Sequence, residues 1–198
     1  MKKIDIIIAL ITGEGVAWLF IWFIKKSAIE IAFLNWGLPI LFPILTLVGL
    51  WVSYLLGKKY LFIFQLAKFL LIGALFALFD LVILNSLMGY FGIAKGTAYS
   101  IFVTISFVIV TSAKYIADKY WAFEKPEKEG VGMEFTGFFI ITLISGVIHI
   151  GVASLIVNII GPQFGILPLV WANVGKILGI TVASVWNFLG YKFVVFKK

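Results

Sequence analysis

The sequence predicts an all-α, polytopic integral membrane protein with about six transmembrane helices. Hydrophobic residues make up 63% of its 198 positions, charged residues make up 13%, and the mean hydropathy is +1.13. Soluble globular domains average about 25% charged residues. The apolar residues also form long runs, each near the roughly 20 residues that a helix needs to cross a bilayer. Composition and run length therefore both indicate a chain that lies in lipid.

Six apolar runs are long enough for a membrane helix. They cover residues 4–24, 31–56, 68–91, 98–117, 135–160 and 167–190. The first run follows a basic N-terminus, as in a signal peptide, but it is too long and no small-residue cleavage site precedes Lys25. We therefore expect a retained anchor. Residues 124–134 form a charged, hydrophilic connection that should lie in water.

The lysines predict how the chain is oriented. All 16 basic residues are lysines, and most of them cluster between the apolar runs, which is typical of membrane orientation and not of a nucleic-acid surface. With a cytoplasmic N-terminus, twelve lysines fall in inner segments and three in outer loops, and Lys176 is left in the membrane. We therefore expect a multi-pass protein of the cell membrane with both termini cytoplasmic and no nucleic-acid partner.

The last four runs contain an internal repeat. "FLLIGALFALFDLVILNSLMGYFG" (69–92) aligns without gaps on "FFIITLISGVIHIGVASLIVNIIG" (138–161), and "KYIADKYWAF" (114–123) aligns on "NFLGYKFVVF" (187–196). Each unit has two helices, so the two copies should share one orientation. We expect parallel repeats at about 68–125 and 137–198. They would form a four-helix domain over 61–198, preceded by a transmembrane helix pair over 1–60.

Recognised catalytic and cofactor motifs are missing from the water-facing segments. The chain has no cysteine and one histidine, and it shows no Gly-rich phosphate loop, Ser-His pair or zinc spacing. The short loops leave no room for a catalytic domain. We therefore expect neither an enzyme nor a bound cofactor or metal.

Three motifs in the last four runs resemble the GtrA-like membrane proteins. They are "KFLLIGALFALFDLVILN" with Asp80, "DKYWAF" at the end of the first repeat, and "WANVGKILGITVASVWNFLGYKF" in the last run. The resemblance covers residues 68–198. Asp118 and Lys119 stand where the family's first repeat usually has Asn and Arg. The resemblance implies four helices that bind a polyprenyl-phosphate-linked sugar, and move it across the membrane or present it to a glycosyltransferase, in cell-surface glycosylation.

A lipid phosphate at the cytoplasmic boundary needs cations, and aromatic side chains favour the same depth. Both occur at the repeat ends, where Phe123 and Phe196 also lie, although ordinary positive-inside anchors would give the same pattern. The predicted substrate-binding residues are Asp80, Lys114, Asp118, Lys119, Trp121, His149, Lys176, Asn187 and Lys192. The expected partners are this lipid and other membrane lipids, while a glycosyltransferase partner and a homo-oligomer stay open.

Four ionisable residues interrupt the apolar runs, and such residues are functional hypotheses by default. Glu14, Asp80, His149 and Lys176 all fall near mid-span. Glu14 is a candidate for proton coupling, or for helix packing beside the small residues Gly13 and Ala17. Asp80 is a candidate for proton coupling as well as for substrate binding. Asp80 and Lys176 also suit a structural ion pair, and His149 also suits an interior histidine with satisfied hydrogen bonds.

Lys176 lies nine residues inside an apolar run, where a lone charge costs about 2.5–3.5 kcal/mol. It shares one helical stripe with Ile180, Ala183 and Asn187. The ammonium should therefore face the interior and lie near Asp80 or Glu14. There it would serve as a deep cation for an anionic headgroup. A small proton-coupled exporter and a non-transporting partner of a glycosyltransferase are the alternatives.

The lysine distribution makes a testable prediction of topology. A tag placed in the loop that contains Pro126 should be inaccessible from outside intact cells, because this loop belongs to the lysine-rich inner segments. The same tag should become accessible when the cells are permeabilised. Labelling in intact cells would contradict the orientation.

Overall fold

A computed structural model describes residues 1–26, 33–124 and 131–195. All regular elements in these ranges are helical. The α-helices are α1 (Lys3–Lys26), α2 (Leu34–Gly57), α3 (Leu61–Phe91), α4 (Gly96–Ala117), α5 (Val131–Ser154) and α6 (Pro168–Gly190). Three π-helical segments continue α4, α5 and α6: π1 (Asp118–Ala122), π2 (Leu155–Ile160) and π3 (Tyr191–Val195). The loop around Pro126, Phe196 and the two C-terminal lysines lie outside the described residues.

Six of the described helices are long and apolar enough to cross a membrane. The prediction of six spans is therefore confirmed. Helices are expected here because lipid offers no hydrogen-bond partner to backbone N–H and C=O groups. Each segment must therefore form these hydrogen bonds within itself. The third span begins at Leu61, earlier than the apolar run, and the fourth and sixth extend through π1 and π3.

The chain divides into two compact units, Met1–Leu78 and Phe79–Lys198, with the division inside α3. In the first unit, α1 packs closely on α2. A Cβ at Gly13 would lie 2.5 Å from Thr46 Oγ1 and 2.6 Å from Pro43 Cα. Thr46 Oγ1 also donates to the carbonyl of Ala9 (2.9 Å), and Ala17 is fully buried. The small face of α1 is thus its packing face.

The first unit also holds a buried ion pair. Lys68 Nζ lies 2.9 Å from Asp5 Oδ1, and both side chains are 1% exposed. The backbone N–H of Lys2 donates to Asp5 Oδ2 (2.7 Å), and the ring of Phe64 lies 4.6 Å from the ammonium. This pair joins the start of α1 to α3, and removing either partner would leave a buried charge uncompensated.

In the second unit, the end of α3 packs with α4, α5 and α6 around one apolar cluster. Its buried members are Leu84, Met88, Tyr99, Phe102, Val103, Ala153, Val157, Trp171 and Ala172. Glycines let α6 approach α5 closely, since a Cβ at Gly179 would lie 2.6 Å from the carbonyl oxygen of His149. Small residues at such contacts are the usual basis of helix packing in membranes.

Two of the three π-helical segments, π1 and π3, lie at matching places in the two predicted repeats. The alignment that puts Lys114 on Asn187 also puts π1 on π3 residue for residue. Lys119 and Lys192 are therefore the second residue of each segment. π-helical turns are rare and often mark functional sites. The predicted domain boundary at residue 60 and the repeat limits stay predictions.

The α1–α2 contact predicts how two glycine substitutions differ. Gly13→Ala should lower the free energy of unfolding by about 1–3 kcal/mol, because its Cβ would overlap the backbone of α2. Gly49→Ala is the matched control, since a Cβ there meets nothing within 4 Å. Thermal unfolding of the two variants in detergent measures the difference. Equal melting temperatures would contradict the close contact.

Candidate functional site

The intramembrane charges Lys176 and Asp80 form a buried ion pair. Lys176 Nζ lies 2.9 Å from Asp80 Oδ1, and the two residues are 0% and 4% exposed. The prediction that Lys176 faces the interior and lies near Asp80 or Glu14 is confirmed, with Asp80 as the partner. Pairing lowers the free-energy cost of burying two charges where little water is present, because each side chain neutralises the other.

Helix α4 supplies the other partners of this lysine. Lys176 Nζ donates to Ser106 Oγ (2.8 Å) and to the carbonyl oxygen of Val103 (3.4 Å). A lysine ammonium has three N–H donors. Two of them are directed at Ser106 and Val103, and the Asp80 carboxylate lies at ion-pair distance. Residues from α3, α4 and α6 thus converge on one ammonium. We call Asp80, Ser106 and Lys176 the deep site.

A pair of asparagines lies next to the deep site. Asn85 Nδ2 donates to Asn173 Oδ1 (2.6 Å), and Asn173 Nδ2 donates to Asn85 Oδ1 (3.1 Å). Both side chains are buried. Asn173 precedes Lys176 by three residues, so the two share one face of α6. Asn85, Asn173 and Ser106 were not predicted from the sequence, although the three-residue spacing of Asn173 and Lys176 was a usable signal.

His149 is buried on α5, where the ring of Phe107 lies edge-on at 5.4 Å. Its Nε2 has no hydrogen-bond partner among the residues that the structure describes. Its ring carbon Cδ2 would lie 2.7 Å from a Cβ at Gly179, so α6 needs a glycine here. The histidine thus lies where α5 contacts α6, and its Nε2 is unsatisfied among the described residues.

Glu14 belongs to the first unit, on α1. It is partly exposed and accepts a hydrogen bond from Trp18 Nε1, one turn further along the helix (2.7 Å). This neighbour is part of α1 itself. The proton-coupling role of Glu14 stays a prediction.

A second polar cluster lies where the two repeats end. Lys114 and Asp118 form an ion pair one helical turn apart, and Asp118 is fully buried. Lys114 Nζ also lies 5.8 Å from the ring centroid of Tyr191, which belongs to the other repeat. Lys119 is 7% exposed and Lys192 is partly exposed. The last turns of α4 with π1, and of α6 with π3, carry the residues that we call the terminal cluster: Lys114, Asp118, Lys119, Trp121, Asn187, Tyr191 and Lys192.

Two acceptor atoms in the terminal cluster are buried and lack a donor. Asp118 Oδ1 and Asn187 Oδ1 make no hydrogen bond to any residue within the described ranges. Tyr191 follows Asn187 by one turn, and its hydroxyl lies 3.2 Å from Thr142 Oγ1. The terminal cluster therefore combines three lysines with acceptors that could bind hydroxyl donors. Tyr191 was not predicted, because its position replaces an aspartate in the aligned repeat.

The two clusters suit binding better than covalent chemistry. The deep site offers a buried cation that one carboxylate neutralises, and the terminal cluster offers cations beside aromatic rings. Among the described residues, no three His, Cys, Asp or Glu side chains are grouped so that they could hold a metal ion. The second unit thus contains two separate groups of lysine side chains, one at mid-span of α6 and one at the repeat ends.

Comparison with known proteins gives one match. The family described as GtrA/DPMS, transmembrane domain, matches residues 68–196. The resemblance predicted from the motifs is confirmed. Searches of curated proteins and of solved structures gave no match to this chain.

The deep site predicts a non-additive pair of substitutions. Asp80→Leu should destabilise the protein by about 3–5 kcal/mol, because it leaves the Lys176 ammonium buried without a countercharge. Adding Lys176→Met should restore most of the lost stability. Thermal unfolding of both single variants and the double variant measures this coupling. Additive losses would contradict a direct pair.

Proposed function

The chain belongs to the GtrA/DPMS transmembrane family, which is linked to the handling of lipid-linked sugars, and on this premise we propose that it binds polyprenyl-phosphate-linked sugars and moves them across the membrane. The products would serve glycosylation of cell-surface polysaccharides. No covalent step is involved. The protein would lie in the cell membrane with both termini cytoplasmic.

The observation that carries this proposal is the fully buried ammonium of Lys176. A sugar phosphate that crosses a bilayer needs a countercharge inside the hydrocarbon region, where an isolated charge is costly. Asp80 provides that countercharge when no substrate is present. A lipid phosphate that approaches Lys176 would replace the carboxylate with another anion, so the ammonium would stay paired throughout.

The terminal cluster would bind the same headgroup first. Lys119 and Lys192 hold the same position in π1 and π3, and juxtamembrane lysines each contribute about 1 kcal/mol to binding of anionic lipids. Asp118 Oδ1 and Asn187 Oδ1 would accept hydrogen bonds from sugar hydroxyls, which fits acceptors that are otherwise unsatisfied.

Two other functions make different predictions. A small proton-coupled exporter would use Glu14 or Asp80 as its proton carrier, and its transport would depend on a proton gradient. A non-transporting partner would copurify with a glycosyltransferase and show no lipid exchange in vesicles. The deep site favours translocation over both alternatives. A non-transporting partner of a glycosyltransferase needs no buried cation, and an exporter that binds a cation would not gain from one.

The terminal cluster predicts selective loss of lipid binding. Lys119→Gln with Lys192→Gln should weaken binding of a polyprenyl-phosphate sugar about thirtyfold, from about 1 kcal/mol for each lysine. Lys197→Gln with Lys198→Gln is the control, because it removes the same charge from the C-terminal end. Binding to protein in detergent or nanodiscs measures both. Equal losses would mean that only the total charge matters.

The deep site predicts a substitution that abolishes lipid exchange without impairing membrane insertion. Lys176→Met should insert into the membrane at least as well as the wild type, because it removes a charge from the apolar run. Exchange of the polyprenyl-phosphate sugar between leaflets of reconstituted vesicles should nonetheless be lost. Asp80→Leu with Lys176→Met should be equally inactive although its stability is restored. A fully active, well-inserted methionine variant would overturn the proposed role of Lys176.

A further inference from the structure

A groove of about 440 Å³ lies between α4 and α5 in the second unit. Its lining includes Thr104, Ser112, Phe138, Thr142, Leu143 and Val147. Val147 and Leu143 are 69% and 58% exposed, so the groove is open at the surface of the unit. Its lining belongs to two membrane-spanning helices, and it therefore opens toward hydrocarbon.

The groove extends along the bilayer normal. On α5 its lining runs from Phe138 to Ile150, a rise of about 18 Å for a straight helix. This exceeds half of the roughly 30 Å hydrocarbon core. An extended chain is the shape that fits such a groove.

The lining hydroxyls do not call for a polar occupant. Thr104 Oγ1 donates to the carbonyl of Ser100 and Ser112 Oγ donates to the carbonyl of Val108, both at 2.8 Å. Thr142 Oγ1 lies at hydrogen-bond distance from the Tyr191 hydroxyl. Three of the four lining hydroxyls are thus satisfied within the protein, Thr111 being the fourth, and the groove offers an occupant mainly apolar contact.

One end of the groove reaches the terminal cluster. The ring of Phe138, which lines the groove, lies 4.1 Å from the ring of Tyr115 and 5.6 Å from that of Tyr191. The ring of Tyr191 in turn lies 5.8 Å from the Lys114 ammonium. An apolar groove is thus continuous with a cationic cluster, and this combination matches an anionic amphiphile.

We propose that the α4–α5 groove binds the isoprenoid chain of the same lipid whose phosphate is bound by the terminal cluster. This inference rests on the proposed function. It adds that the protein recognises the isoprenoid chain of the lipid as well as its headgroup. The gain in affinity with chain length therefore depends on the groove, up to the length at which the groove is filled.

The test is binding of polyprenyl monophosphates with increasing numbers of isoprene units. Val147→Trp and Leu143→Trp each fill the groove from an exposed position, and Val185→Trp is the control because it is 62% exposed on α6, outside the lining. We expect wild type and control to bind longer chains more tightly until a plateau. Both groove variants should bind the shortest lipid normally and the longest about tenfold more weakly, or about 1.4 kcal/mol.

The possible outcomes distinguish failure of the groove inference from failure of the proposed function. If the wild type binds the long lipid and both folded groove variants keep its chain-length dependence, the groove inference is wrong while the proposed function stands. If the wild type binds no polyprenyl monophosphate of any length, the proposed function fails and the inference fails with it. A change of oligomeric state in the groove variants, with chain-length dependence unchanged, would assign the groove to a second copy of the chain instead.

Discussion

The structure of the second unit depends on one buried ammonium group that requires a neighbouring negative charge. Lys176 on α6 binds Asp80 on α3 and Ser106 on α4, so three helices are tied to a single charge. A charge at this depth is tolerated only when it is paired or solvated. The ion pair thus holds a cation inside this unit, where the proposed function requires one.

Helix packing around that charge separates two kinds of surface. Glycines such as Gly179 bring α6 and α5 into close contact, which closes the interior around the deep site. Elsewhere on α5, Leu143 and Val147 line an open groove together with Phe107 of α4. The π-helical segments then carry Lys119 and Lys192 at the repeat ends. Headgroup and chain of one lipid would thus meet different surfaces of one unit.

Much of the fold could be predicted from sequence because lipid restricts the possible structures. Apolar runs in a bilayer must form helices, so hydropathy alone located six spans. The Lys176–Asp80 pair was predictable as well, since an unpaired lysine at mid-span would be too costly. The ion pair of Asp5 with Lys68 was not, because both residues lie near span ends where water is an alternative partner.

The remaining site residues depended on tertiary contacts that no periodicity reveals. Asn85 and Asn173 bond across 88 positions of sequence, and Ser106 becomes a ligand of Lys176 only through the packing of α4 on α6. Tyr191 joins the terminal cluster through Lys114 of the other repeat. Each is a common polar or aromatic residue within an apolar run, and it gains a role only when two helices meet.

The most direct measurement is the selectivity of leaflet exchange in vesicles that contain the wild-type chain. Two lipids that share one sugar and one isoprenoid chain are compared, a polyprenyl-phosphate sugar and a polyprenyl glycoside without phosphate. If the deep cation serves an anionic headgroup, only the phosphate-bearing lipid will exchange faster than in protein-free vesicles. Equal acceleration of both lipids, or acceleration of neither, would contradict the role assigned to Lys176.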